Sequence, residues 1–188
     1  MSYVAMLSGV IAYPREQPES PDEPSGLGDA ISGVIESLQE LSYLNSPIQD
    51  SNEFNVVTTQ MGEEGDWVDI LKIPTETHRN LGRNTDLLLE PATSGCVIAT
   101  ANEPSWHGAV DYADGRSIEV DLREWMGEGH AEEEPEESNY PTHDDWFDDQ
   151  VDWQADVEAE FRAEKEAEDP FDSLAELFIT AETLTVPN

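Results

Sequence analysis

The sequence predicts an α+β fold: a mainly antiparallel sheet with one packed amphipathic helix, plus an acidic helical C-terminal arm. Three observations predict it. Short runs rich in Val, Ile, Thr and Tyr recur between turn signals, the pattern of antiparallel strands joined by short loops. One segment, opening at Asp29, carries its apolar residues at helical spacing instead. Beyond residue 126 the strand-like runs stop and acid takes over. The expected division is a body over residues 1–126, with a Pro-rich acidic linker at 14–28 inside it, and an acidic linker and helical arm over 127–188.

Residues 3–13 (YVAMLSGVIAY) read as a strand or a short buried helix, and Gly9 with the Tyr, Val and Ile content favours the strand. Residues 14–28 hold four prolines and four acids. Each proline disfavours helix at the residue before it, so this stretch reads as an extended strap. Asp29, the expected N-cap, then opens the clearest helix. Ile31, Val34, Ile35, Leu38 and Leu41 form one apolar stripe, with Glu36, Gln39 and Glu40 outside it. Pro47 stops it after Leu44.

Residues 54–60 and 67–73 are β-rich runs around a Gly-containing loop, and read as a hairpin. Residues 74–86 are polar and read as a loop. Short apolar runs follow at 86–90 and 95–101. Residues 109–112 and 116–122 flank Ala113-Asp114-Gly115, and Asp-Gly supplies the positive φ of a tight hairpin. In the second run Ile118, Val120 and Leu122 alternate with Glu119 and Asp121, which predicts one buried and one solvated face. Residues 127–145 lack periodicity and read as an acidic linker. Residues 146–169 read as a helix ended by Pro170. Ser173 and Glu176 fit a capping box for a last short apolar face at Leu174, Leu177, Phe178 and Ala181.

The charge is extreme. Among 188 residues, 43 are acidic and 8 basic, for a formal net charge of −35. Phosphate contacts by Lys and Arg dominate nucleic-acid affinity, so direct nucleic-acid binding is not expected. Binding to an anionic membrane surface is excluded on the same ground, and no apolar run of about 18 residues exists to span a bilayer. Leu, Ile, Val and Phe make up about 21% of the chain, close to the composition of disordered proteins, so folding rests on the periodic segments. Residues 128–170 hold 18 acidic and 2 basic residues; the other acids are spread along the chain. Broad acidity of this kind suits a cytoplasm or virion in molar salt, where a Debye length of about 3 Å screens self-repulsion.

No catalytic signature stands out. His78, His107, His130 and His143 form no zinc-type spacing. The acids of residues 111–115 fail the calcium-loop pattern, with Ala at the third position and Gly at the fifth. Gly26-Leu27-Gly28 lacks the third glycine and the Lys-Ser/Thr of phosphate loops. Ser105, His107 and Cys96 match no nucleophile motif, and Cys96 reads as a small buried hydrophobe. One cysteine makes no intrachain disulfide. The first residues have neither a basic n-region nor a small-residue cleavage site, so no signal peptide is expected.

The aromatic residues of the acidic arm carry the functional reading. A solvating tail has no use for large rings. Trp146, Trp153, Val157 and Phe161 share one helical arc, and Phe171 and Phe178 follow, with Phe147 beside them. These six residues of the arc and its continuation are the expected partner-binding set, the arm docking on its own body or on another subunit. The expected function is a non-enzymatic structural or assembly subunit from a halophilic setting, such as a head–tail or tail component of a virus infecting a halophile. It needs no cofactor and works through protein partners, by self-association or within a larger assembly. The alternative is an acidic DNA mimic or inhibitor that binds a basic protein, which requires acid concentrated on one face. A third is a small enzyme with an unrecognised site.

Overall fold

Alternation along strand β1 (Ala5–Pro14) sets the architecture. Val10 and Ala12 face one side of the sheet; Leu7, Ile11 and Tyr13 face the other. All five are buried, so both faces must be covered. A computed structural model shows how; it describes residues 5–18, 26–43, 55–77, 85–101, 106–125, 134–168, 174, 176–177 and 183–185.

The other strands are β2 (Asn55–Gln60), β3 (Trp67–Thr77), β4 (Ser94–Ala101), β5 (His107–Tyr112), β6 (Ser117–Asp121) and β7 (Thr183–Thr185). The helices are α1 (Asp29–Tyr43), α2 (Asp86–Leu89), α3 (Leu122–Trp125) and α4 (His143–Ala167). The strands form one antiparallel sheet in the order β6-β5-β4-β1-β3-β2-β7. The α+β class, the antiparallel sheet and the long C-terminal helix are as the sequence predicts.

Helices α1 and α2 cover one face. Ile31, Val34, Ile35 and Leu38 meet Leu7, Ile11, Val56, Leu71 and Val97, with Leu88 and Leu89 alongside. The first four residues of the predicted stripe are thus the buried face of α1, and the side chain of the fifth, Leu41, lies outside the described ones. Helices α3 and α4 cover the other face, where Trp125, Trp153, Val157 and Phe161 meet Val10, Ile70, Ile98 and Val110. The result is three layers, helix–sheet–helix.

Three elements differ from expectation, each for a local reason. Strand β3 runs to Thr77 through Pro74, within residues expected to be loop. Leu7 pairs with Glu76 and Gly9 with Ile73, so Pro74 and Thr75 sit at a bulge, where a residue without an N–H is tolerated. Strand β6 does not have the predicted buried face: Ile118 is exposed and Val120 only half-buried, because β6 is a sheet edge, and Leu122 is buried from α3. The 134–142 stretch, expected as linker, includes a 3-10 turn at Glu137–Asn139 and the N-cap of α4. The capping box at Ser173 and the hairpin flank at Phe54 fall outside the described residues. No helix among the described residues is long and apolar enough to cross a membrane.

Candidate functional site

The apolar arc of helix α4 carries the expected docking residues, and of the two expected dockings it takes the one onto the chain's own body. Trp153, Val157 and Phe161 are buried against the chain's own sheet. The indole of Trp153 stacks on Trp106 with ring centroids 5.2 Å apart, and Phe161 meets Trp125 edge-on at 5.7 Å. Burial of Val or Phe contributes about 1.5–3 kcal/mol each, enough to hold the helix in place. Trp146 is half-buried and donates its indole N–H to the carbonyl of Pro135, 2.9 Å away. Phe171 and Phe178 lie outside the described residues. The core therefore crosses the expected 126/127 boundary, and the arc of α4 is taken up within the chain.

A polar relay sits beside that core. The Thr100 hydroxyl donates to Glu158 at 2.9 Å, and Arg162 donates to the same hydroxyl at 2.8 Å. Glu158 and Arg162 are 3.8 Å apart, both buried. Burial pushes the Glu158 carboxyl above the ordinary glutamate range despite the Thr100 bond and the Arg162 charge. The same burial lowers the Arg162 pKa. The relay ties α4 to β4 through Thr100: the two charges ride together on the helix, and a shift along it would take both of them off that buried hydroxyl.

The first turns of α4 are pinned along one side by residues 134–142. Thr142 caps the helix through the Asp145 amide, Gln150 donates to Glu134 at 3.0 Å, and His143 pairs with Glu137 at 2.9 Å. The adjoining side is open. Phe147 is 54% exposed and Val151 46%, one helical turn apart. Sequence reasoning noted Phe147 but did not place it with Val151. The signal was their four-residue spacing, displaced around the helix from the Trp153–Phe161 arc.

A second exposed apolar site, Ile118 at 46%, lies on the edge strand β6. Helix α4 reaches β5 at Phe161, whose ring lies on Gly108, and Gly108 pairs with Val120 of β6. The helix from Phe147 to Phe161 is about 20 Å long, so the two exposed sites are well separated.

No protein-family model, curated protein or solved structure matches this chain. The chemistry must be read from its own residues.

The other sequence-level candidates resolve into structure. Gly28 opens α1, and its N–H donates to Asp69 Oδ2 at 2.6 Å. Asp69 Oδ1 also accepts from Arg15 at 2.9 Å and from the Thr58 hydroxyl at 2.6 Å. Side-chain exposure of Arg15 and Asp69 is 6% and 0%. The helix start does hold an anion, but it is the chain's own carboxylate. Both ends of the Pro-rich strap close on that one residue.

Cys96 is buried, and desolvation pushes its thiol up to about 12, so it does not supply a thiolate. Asp111 accepts from the Thr85 and Ser117 hydroxyls at 2.8 and 2.5 Å. Asp114 accepts from the Arg116 amide and guanidinium at 3.0 and 2.7 Å, and Gly115 has φ 85°, as an Asp-Gly hairpin requires. These acids shape a turn. Beside it, a groove of about 720 Å³ lies between α2 and the β5–β6 hairpin, lined by Asp86, Glu90, Asp111, Tyr112, Arg116 and Glu119. Among the described residues no three His, Cys, Asp or Glu side chains are grouped to hold a metal ion. Ser105, His78 and His130 lie outside the described residues.

The charge is distributed unevenly between the two covering layers. Helix α4 carries ten acidic residues and α1 three. Asp145, Asp149, Asp152, Asp156 and Glu160, all exposed, follow one another at three- and four-residue steps along the outer ridge of α4.

Proposed function

We propose that this chain is a non-enzymatic assembly subunit that self-associates in a high-salt setting, such as a structural component of a virion from a halophile. The observation that carries this reading is the β6 edge. Strand β6 ends the sheet, pairs along one side only among the described residues, and leaves Ile118 46% exposed. An open edge is a template for another strand. Glu119 and Asp121 guard it in dilute buffer, where like charges repel. Molar salt screens that repulsion and strengthens apolar burial, so edge pairing becomes favourable where such a protein works.

Light scattering across a KCl series tests the reading. The expected result is a mass above that of one chain in molar KCl, reduced by Ile118→Lys. A monomer at all salt concentrations would overturn it.

The outer ridge of α4 favours a second reading, an inhibitor or DNA mimic that binds a basic protein. Its acids form a regular row along the helix at about 4.5–6 Å of rise per step, as phosphates form a row along a strand at about 3.4 Å. This reading expects capture of a DNA-binding protein to be competed by duplex DNA and lost when Asp149, Asp152 and Asp156 become Asn. Capture unaffected by both would exclude it.

A further inference from the structure

We infer that the Phe147–Val151 side of α4 is a docking site for a basic amphipathic helix of a protein partner, one carrying apolar anchors flanked by Lys or Arg. The inference rests on the interaction-subunit reading above but concerns a different surface.

Four observations carry it. Phe147 and Val151 are large, apolar and about half exposed on a chain whose other large hydrophobes, Ile118 apart, are buried or half-buried among the described residues. Their four-residue spacing matches the anchor spacing of helix-in-groove recognition. The helix beneath them is already fixed, by the Thr142 cap, the Trp146–Pro135 bond and the Gln150–Glu134 bond on its adjoining side. A partner therefore meets a pre-organised surface and does not have to order it.

The fourth observation is charge, and it selects the occupant. Asp144, Asp148 and Asp152 border the pair and are exposed. No Lys or Arg lies in α4 before Arg162. A second copy of this helix would bring the same acids face to face, and an acidic partner would do likewise. A helix with Lys or Arg beside its apolar anchors places each cation against one of these aspartates while the anchors cover Phe147 and Val151. The apolar contact gives affinity that persists in molar salt; the acid rim acts there only over contact distances of about 3 Å, so it gives specificity at the docked surface and not long-range steering.

The test uses the full chain and a short helical peptide with two leucines four residues apart and lysines beside them. A second peptide replaces the lysines by glutamates. The lysine peptide is expected to bind and the glutamate peptide to fail. Phe147→Ser with Val151→Ser should weaken binding about tenfold or more, and Phe147→Leu alone should leave it largely intact. Circular dichroism on each variant confirms folding. Absence of lysine-peptide binding, equal binding of the glutamate peptide, or undiminished binding by the double serine variant would overturn the inference. Oligomeric mass in molar KCl is read on the same samples. A chain that self-associates but ignores the peptide loses only this inference. A chain that binds the peptide but stays monomeric loses only the assembly reading.

Discussion

The ring of Phe161 rests on Gly108 so closely that a β-carbon at that glycine would lie 2.3 Å from Cε1. Phe161 is fully buried and also meets Trp125, so its ring cannot swing aside. The absent side chain in β5 is therefore what allows α4 to sit at its observed height above the sheet. Gly108→Ala should cost about 1–3 kcal/mol, the range for overpacking a core. Combined with Phe161→Leu it should cost less than the two single changes added together, because the smaller side chain relieves the clash. Urea denaturation in molar KCl, with all three variants, checks both statements. Strict additivity would mean that the contact does not set the spacing.

Asp69 is the next place where one atom group decides a larger arrangement. It holds Arg15 and Gly28, the two ends of the strap. Asp69→Asn keeps the shape but leaves the buried Arg15 charge without its counter-ion. A loss of about 3–5 kcal/mol is expected, together with faster hydrogen exchange at the Gly28 amide. Unchanged exchange there would show that the strap is held by other contacts.

Glu158 makes stability depend on pH in an unusual direction for a carboxylate. Its folded pKa is raised, chiefly by burial, from the ordinary 4.5. The folded chain thus binds this proton more tightly than the unfolded chain. The resulting stabilisation is fully present below 4.5 and is lost as pH rises through the folded value. Glu158→Gln cannot titrate. The wild-type chain should therefore lose stability relative to this variant as pH climbs from below 4.5 toward neutrality, at constant salt. Parallel pH profiles of unfolding free energy would refute this.

Salt should act on the whole molecule. With a net charge of −35, the folded chain repels itself. Raising KCl shortens the Debye length from about 10 Å at 0.1 M to about 3 Å at 1 M. The melting temperature is expected to rise steeply over that interval. Substituting Lys at Asp149, Asp152 and Asp156 should flatten the rise, because that ridge is the densest acid described on the surface. A melting temperature indifferent to KCl would remove the basis for a high-salt setting.

Much of the fold was legible because the pattern and the burial agree. The α1 stripe, the β2–β3 hairpin and the Asp114-Gly115 turn each follow from a local rule and appear where that rule puts them. Strand β3 beyond Ile73 was not legible, since a proline argues against a strand unless the bulge that accommodates it is known. The face of β6 misled because alternation predicts a buried side without saying whether the neighbouring layer extends that far. The site was harder still. Periodicity correctly grouped Trp153, Val157 and Phe161 on α4. It left open whether their cover was the chain's own body or another subunit. Nor could it find the Asp69 latch, whose members Arg15, Gly28, Thr58 and Asp69 are brought together only by the sheet.

The central position of β1 bears on how the chain is made. Strands β2 and β3 find each other locally, and so do β4, β5 and β6; among the described residues β1 alone joins the two groups. Among the described strands it precedes the others in the chain, yet Gly9 must await both Ile73 and Val97. Until then an apolar segment holding Leu7, Val10 and Ile11 has no sheet to enter and is exposed to other nascent chains. The residues translated directly after it include Glu16, Glu19, Asp22 and Glu23, together with Pro14, Pro18, Pro21 and Pro24. Charge and proline are what block strand stacking between chains. A strap of that composition next to β1 disfavours strand stacking, and its two ends, Arg15 and Gly28, are fastened only once Asp69 is in place.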